Sequence, residues 1–326
     1  MKIHTNLPLS NITHYRIGGV AKKVLEITSR EDLLEAVKLV QRHNLQNVYI
    51  LGLGSNILLP DKSIDGVILW MRGRSEFSIH HFSEVDAFAG DLLDDLINFT
   101  FSHQLVGLEW AGGLPSTIGG AIRGNAGAFG YEIKDIIKSV EYIDITDKDL
   151  NIRTLLQKEC QFAYRDSIFK HNPSWVIVSG TFKLKLASQE ELKTAKEIYE
   201  KNILYRNTHH PVEYPSCGSV FKNITRLEEV EKILNVWPDI KDLSQKKWHN
   251  KIAMGYVINR LGFSGKRVGG AKVSEKHANY IINTGNATSQ DVLTLIRGIQ
   301  QKFQKTFGFV PDPEVMIVNS KVIDKK

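Results

Sequence analysis

The sequence predicts an α+β protein, built of mixed α/β layers and divided into two or three domains. Three observations predict it. Residues 1–70 contain, in order, strand, helix, strand, glycine turn and strand, the order of a small α/β layer. The middle of the chain sets alternating, strand-like runs around a glycine-dense stretch from Ala111 to Gly130. The last third intersperses capped helices with short apolar strands, in a chain of 326 residues whose 42% hydrophobic content is enough for ordinary cores.

Taken in order, Ala21 to Thr28 reads as the first strand after an opening segment. Ser29, with Asp32 three residues later, makes a capping-box start for a helix to about Asn44. Asn47 to Leu51 reads as a buried strand running into Gly52-Leu53-Gly54-Ser55-Asn56, then a second apolar run, Ile57 to Leu59, and Gly66 to Trp70 closes the layer. Glu76 to Ala89 alternates as a hairpin does, and Asp91 to about Gln104 reads as a helix leading into the glycine stretch. Strands are expected at Ser139 to Thr146, Asn151 to Leu155 and Trp175 to Leu186. Cys160 to Ser167 is different in kind. Ser188 and Glu191 cap a helix to about Arg206. Beyond it come the run Tyr214 to Asn223, a charged helical stretch near 225–250, a helix near 250–261 stopped by Gly262, a strand at Tyr280 to Thr284, and a helix from Ser289 to Phe307. Val292, Leu295, Ile296, Ile299 and Phe303 form one apolar stripe on that last helix, which is core rather than a cofactor box. Glu314 to Val318 reads as the final strand. No internal repeat or low-complexity tract interrupts this order.

The stretch Ala111-Gly-Gly-Leu-Pro-Ser-Thr-Ile-Gly-Gly-Ala-Ile-Arg-Gly-Asn-Ala-Gly-Ala-Phe-Gly130 carries seven of the chain's 25 glycines. Such density means a backbone bent tightly or pressed against something. Its resource is main-chain N–H groups, which in a glycine-rich loop converge on an anion such as a pyrophosphate. A string of tight turns packed between strands accounts for the glycines equally well. The upstream Gly52-Leu-Gly54 turn is strand-turn-strand. A dinucleotide fingerprint would need a third glycine where Ile57 stands, and a P-loop would need Gly-Lys-Ser/Thr, so both common nucleotide motifs are rejected. Two such loops point to a cofactor whose phosphates lie on turns between strands, away from a helix N-terminus.

Composition narrows the function classes. The formal charge is +6 and the pI about 9.1, which favours anionic partners. No stretch is basic enough for a nucleic-acid arm, so anionic small molecules fit better. The N-terminus lacks the apolar segment of a signal peptide and no run approaches the ~18 apolar residues of a membrane span, so a cytoplasmic protein is expected. Cys160 and Cys217 cannot make a disulfide framework. Neither has zinc-ligand spacing, and the histidines at 80, 81, 209, 210 and 277 lack metal-ligand pairing, so no metal site is expected.

Seven motifs in order carry a resemblance. They are Asn11-Ile-Thr-His-Tyr-Arg-Ile-Gly-Gly19, Leu51-Gly-Leu-Gly-Ser-Asn56, Gly107 to Gly130, Tyr164-Arg165, Tyr214-Pro-Ser-Cys-Gly-Ser-Val-Phe-Lys-Asn223, Gly269-Gly-Ala-Lys-Val-Ser-Glu-Lys-His-Ala278 and Pro313-Glu-Val315. Together they resemble the UDP-N-acetylenolpyruvoylglucosamine reductases, the MurB family of bacterial cell-wall synthesis. The run Tyr214 to Asn223 is similar to the family's shorter, type II branch. The resemblance implies an FAD-binding region of the PCMH/vanillyl-alcohol-oxidase-like type in two parts, residues 1–70 and 71–207, followed by a substrate-binding domain at 208–326. It implies non-covalent FAD, NADPH as hydride donor, and reduction of UDP-N-acetylglucosamine enolpyruvate to UDP-N-acetylmuramate, with a monomer expected. The family usually has proline after the Asn223 position, where Ile224 stands here. Extra residues near 224–250, including Arg226 to Leu234 and Lys246 to His249, read as a solvated helical insertion.

Reduction of an enol ether bearing a carboxylate needs a hydride, stabilisation of enolate-like charge, and a proton at the neighbouring carbon. Flavin supplies the first and protein groups the rest. The resemblance assigns the proton to Ser219. A serine after glycine is most often a turn residue, yet a hydroxyl suits protonation of a basic carbanion where a carboxyl would already be ionised. Cys217, with no positioned histidine in its motif, reads as packing. Arg165 and Glu314 match the other two catalytic residues. The arginine can fork onto the substrate carboxylate, and the glutamate can share a proton with the developing enol. Without the match they read as a surface arginine and a strand-edge glutamate. Tyr164, Arg165, Lys222 and Asn223 are implied substrate ligands, with Lys222 suited to the pyrophosphate. Gly52, Gly54, Ser55, Asn56, Gly112, Gly113, Pro115, Ser116, Gly119, Gly120, Asn125 and Gly127 are implied in flavin binding. Two other readings stand beside this one. A flavin oxidase of the same FAD-binding class often tethers flavin through histidine, and no histidine lies in 111–130. A basic nucleotide- or nucleic-acid-binding protein rests on the pI alone.

Overall fold

In the computed structural model, residues 1–45 and 47–318 are described. They form two compact units. One comprises residues 1–7, 21–53 and 65–208; the other comprises 8–20, 54–64 and the described residues from 209 onward.

The first unit holds two sheets. A four-stranded sheet contains, in spatial order, Lys2–Pro8, Val20–Ile27, Ile64–Met71 and Val48–Leu51, the last two paired in parallel. The helix Arg30–Arg42 links Val20–Ile27 to Val48–Leu51. Ser29 caps it by accepting the Asp32 N–H at 3.2 Å, and it buries Leu33, Ala36, Val37 and Val40. This is the period expected of a helix packed on a sheet. The second sheet has five strands in the order Ile152–Leu156, Ile137–Asp144, Trp175–Lys183, Glu84–Phe88 and Ser78–His80, all antiparallel. Leu93–Ser102 forms the expected helix before the glycine stretch, and Gln189–His209 closes the unit.

Three local expectations need correction. The glycine stretch contains a helix, Ile118–Gly124, capped at Thr117 and stopped by Asn125 at φ +42°. Ile118, Ala121 and Ile122 are fully buried there, so tertiary packing overrides the helix cost of three glycines. The glycine loops therefore do not all lie away from a helix N-terminus. Second, Ile57–Leu58 does not complete the first layer; it pairs in parallel with Met316–Ile317 in the second unit. Third, the helical stretch near 225–250 is two helices, Leu227–Val236 and Lys241–Lys246, because Pro238 breaks the ladder between them with a 3₁₀ turn.

The second unit packs its helices around a three-stranded antiparallel sheet of Arg267–Val268, Ala271–Val273 and Ile281–Asn283. Ser289–Phe307 buries Val292, Leu295, Ile296, Ile299 and Phe303, the predicted stripe. Its capping box is complete, with Thr288 and Asp291 each accepting the other's backbone N–H. The N-terminal segment belongs to this core. Tyr15 is fully buried and donates its hydroxyl to the Ile281 carbonyl at 2.8 Å, while the Asn283 amide donates to the Tyr15 carbonyl.

Candidate active site

In the first unit the two glycine loops meet. Thr117 caps the short helix by accepting the Gly120 N–H at 3.3 Å, and a Cβ on Gly52 would lie 2.4 Å from the same hydroxyl oxygen. Nothing larger than glycine fits between the strand end and the cap. Among the described residues, the N–H groups of Gly52, Leu53, Gly113, Ser116 and Thr117 have no protein acceptor. Open donors beside a surface stripped of Cβ atoms fit the phosphates of a dinucleotide cofactor. Other glycines of the stretch answer to packing. A Cβ on Gly112 would meet the Tyr199 carbonyl oxygen at 2.6 Å, one on Gly119 the Ala89 Cβ at 2.9 Å, and one on Gly127 the Tyr131 carbonyl oxygen at 2.6 Å. Both sequence readings thus hold, at different positions. Pro115 and Ser116 lead into the cap, and the Ser116 carbonyl accepts the Leu93 N–H. The Asn125 side chain is fully committed, donating to Glu132 and to the Ala163 carbonyl and accepting the Lys134 N–H.

Cys160 to Ser167 becomes a tight turn. Ala163 and Asp166 exchange backbone hydrogen bonds at 3.1 Å each, which leaves Tyr164 and Arg165 at the tip with Arg165 at φ +55°. The Arg165 guanidinium donates to the Gly127 carbonyl at 2.7 Å, lies 4.0 Å from a Glu132 oxygen and sits 5.0 Å from the Tyr164 ring centre. Tyr164, Arg165 and Gly127 are thereby brought together. Glu132, which no motif marked, is the carboxylate that steadies them.

In the second unit Gly54, Ser55 and Asn56 lie beside the run Cys217 to Asn223. Gly54 adopts φ +63°, and a Cβ there would press on Thr13 at 2.9 Å. The Asn56 amide donates to the Glu314 carbonyl at 3.2 Å, and the Met316 N–H donates to the Asn56 carbonyl at 3.1 Å. The Glu314 N–H in turn donates to the Val220 carbonyl at 2.7 Å, next to Ser219. Val220 also donates to the Asn279 carbonyl, and the Asn279 amide bonds both ways to Phe221. Glu314 is therefore bonded to the neighbour of Ser219 although 95 positions separate the two in sequence numbering. Ser219 opens into a cavity of about 330 Å³, lined also by Asn223, Tyr256, Asn259, Lys276 and His277. The Asn223 side-chain Oδ1 accepts the Met254 N–H, which anchors the helix Met254–Arg260, and the Lys222 backbone N–H donates to the Asp312 carbonyl.

Electrostatics separate these groups. Burial pushes the Cys217 thiol up to about 12, with the Glu314 carboxylate adding to the effect. It is neutral at pH 7, which suits packing and not nucleophilic attack. Burial lowers the His277 pKa, and the Asn279 N–H donates to its Nδ1, leaving a neutral ring with its proton on Nε2. His277, Tyr256 and Asn259 line the Ser219 cavity without having been singled out as ligands. His277 lies in the matched run Gly269 to Ala278, whereas Tyr256 and Asn259 fall outside every matched motif. Among the described residues, no group of three or more His, Cys, Asp and Glu could hold a metal ion, and no helix is long and apolar enough to cross a membrane.

Comparison with known proteins agrees with this anatomy. Residues 21–150 match the FAD binding domain family, and residues 210–318 match the C-terminal domain of UDP-N-acetylenolpyruvoylglucosamine reductase. This pairing defines the class, a flavoprotein oxidoreductase with a dedicated C-terminal domain. The reductase of Caldanaerobacter subterraneus subsp. tengcongensis is 34% identical over 320 residues, covering 98% of this chain and 95% of that one. That of Exiguobacterium sibiricum is 34% identical over 316 residues, covering 97% and 93%. The crystal structure of UDP-N-acetylenolpyruvylglucosamine reductase (MurB) from Thermus caldophilus superimposes with a TM-score of 0.73 at 26% identity, covering 98% and 100% of the two chains. The chain belongs to the UDP-N-acetylenolpyruvoylglucosamine reductase family.

Proposed function

We propose that this protein is an NADPH-dependent flavoenzyme that reduces the enolpyruvyl ether of UDP-N-acetylglucosamine enolpyruvate, giving UDP-N-acetylmuramate for peptidoglycan synthesis. The observation that carries the reading is the hydrogen bond from the Glu314 N–H to the carbonyl of Val220, the neighbour of Ser219, which itself lines the cavity, in a chain of this family. The chemistry that bound FAD would supply is hydride transfer, from NADPH to the enolpyruvyl carbon. Gly52, Gly54, Ser55 and Asn56, with Gly113, Pro115, Ser116 and Gly120, would hold the cofactor through main-chain donors and close backbone approach, while Gly112, Gly119, Asn125 and Gly127 shape the loops around it by packing and hydrogen bonding. Residues 1–70 and 71–207 serve the flavin and 208–326 the substrate.

The protein's own groups handle charge and proton. Arg165, held by Gly127 and Glu132, presents a permanent cation to the substrate carboxylate and to the enolate-like charge that grows during reduction. Ser219 gives its hydroxyl proton to the neighbouring carbon, and Glu314 shares a proton with the developing enol. Tyr164, Lys222 and Asn223 bind the remainder of the substrate. The enzyme acts as a cytoplasmic monomer.

The test is anaerobic. The purified protein should be yellow, and acid precipitation should release the colour because the flavin is not covalently bound. NADPH should bleach it, and the enolpyruvyl UDP-sugar alone should restore the colour. Reoxidation by oxygen but not by the sugar would instead favour an oxidase.

A further inference from the structure

The insertion near 224–250 meets the Ser219 cavity through its contacts with a residue on the helix that follows. Tyr256, on the helix Met254–Arg260, lines that cavity. Its ring lies 5.2 Å, centroid to centroid, from the indole of Trp248. Arg260, one turn further along, reaches the Tyr256 hydroxyl at 3.4 Å. Arg260 is itself held on two sides. Its guanidinium donates to both oxygens of Asp239, at 2.6 and 3.0 Å, and lies 4.4 Å from the Trp237 ring centre.

Trp237, Asp239 and Trp248 all belong to the insertion, which is tied into the core. Ile233 and Ile240 are fully buried, Trp237 meets Phe307 edge to face at 4.9 Å, and Ile224 and Ile252 exchange backbone hydrogen bonds across its two ends. A solvated decoration would need none of this. Nor does the Asp239–Arg260 pair serve mainly for stability, since its side chains are 59% and 32% exposed and such pairs contribute little. Its two-pronged geometry, stacked on an indole, fixes direction.

We infer that the insertion is a positioning device for the substrate cavity, in which Trp248 and the Asp239–Arg260 fork hold the Tyr256 ring in one orientation. A ring ordered during folding presents a ready face to a nucleotide sugar, so binding does not have to order it. The identity of that ligand rests on the reductase reading, whereas the clamp rests on the contacts above.

The experiment uses the full flavin-loaded chain with Trp248→Ala, Trp248→Phe and Asp239→Asn. In Trp248→Ala the KM for the enolpyruvyl UDP-sugar should rise about tenfold, the scale of a lost anchoring contact. The limiting rate of sugar reduction at saturation should stay within about twofold of the native value, because the reacting groups are untouched. Trp248→Phe should recover most of the affinity, and Asp239→Asn should fall between the two. Unchanged KM in Trp248→Ala overturns the inference, as does loss of active, flavin-loaded protein without a KM change, which marks a purely structural role. If the native protein does not reduce the sugar at all, the reductase reading fails instead. The clamp is then judged by a thermal-stability double-mutant cycle of Trp248→Ala with Tyr256→Ala, where coupling upholds it and additivity overturns it.

Discussion

Ser219 shows how a common turn residue acquires a role from its neighbours. Ser219 lines a cavity with Asn223, Tyr256 and His277, and the Glu314 N–H, just ahead of the strand Met316–Ile317, donates to the carbonyl of the very next residue, Val220. Ser219→Ala removes the hydroxyl and leaves the glycine loops of the first unit untouched. Flavin reduction by NADPH should continue at close to the native rate, while transfer to the enolpyruvyl sugar falls by roughly 10²- to 10⁴-fold, the usual worth of a positioned general acid. Ser219→Cys should restore part of it. Stopped-flow absorbance of each half-reaction decides. Equal slowing of both would make Ser219 structural, and no slowing of the second would move the proton source to Glu314. A different residue governs a pH dependence. Asp91 is buried at the start of the helix Leu93–Ser102, and burial raises its pKa to about 6 despite hydrogen bonds from the Ser75 and Phe88 N–H groups. A carboxyl raised in this way contributes stability that is complete below about pH 4 and lost as pH rises through about 6. The Tm difference between native protein and Asp91→Asn, followed from pH 4 to 8, should therefore shift in favour of the variant as pH rises. A difference that is flat with pH would refute this.

At the scale of elements, the short helix Ile118–Gly124 explains why its two adjacent glycines are not equivalent. A Cβ on Gly119 would press on Ala89 at 2.9 Å, a packed contact. A Cβ on Gly120 meets only the Ser116 and Thr117 hydroxyls, at 3.3 Å, and those side chains can give way. Gly119→Val should therefore lower Tm through overpacking, by an amount corresponding to about 1–3 kcal/mol. Gly120→Val should keep a near-native melting curve but lose flavin on gel filtration, because the added side chain crowds the phosphate donors. Full flavin retention in Gly120→Val would remove this turn from the cofactor site.

For the whole molecule, one flavin serving NADPH and the enolpyruvyl sugar in turn at a shared site requires that the first product leave before the second substrate enters. Initial rates should give parallel lines in double-reciprocal plots, with inhibition by excess of either partner. Intersecting lines would show both bound at once and would exclude the shared site.

Much of this architecture was legible because helix signals act over three or four residues. Ser29 with Asp32 and the apolar stripe of Ser289–Phe307 depend on neighbours along the chain, so their elements appear where the sequence places them. Glycine density in 111–130 likewise marked close backbone approach before any partner was known. Identifying the partner took the fold. Gly52 against Thr117, Arg165 on Gly127 and Glu132, Tyr256 under Trp248, and Ile57–Leu58 beside Met316–Ile317 join segments that no local pattern connects. The Asn56 amide finds the Glu314 carbonyl across 258 positions. Periodicity and capping are properties of a segment, so sequence determined the elements and the residue types available for chemistry. Which donor faces which acceptor depends on how distant segments pack, so only the tertiary structure decided where a serine and a tyrosine border one cavity and which glutamate lies next to that serine.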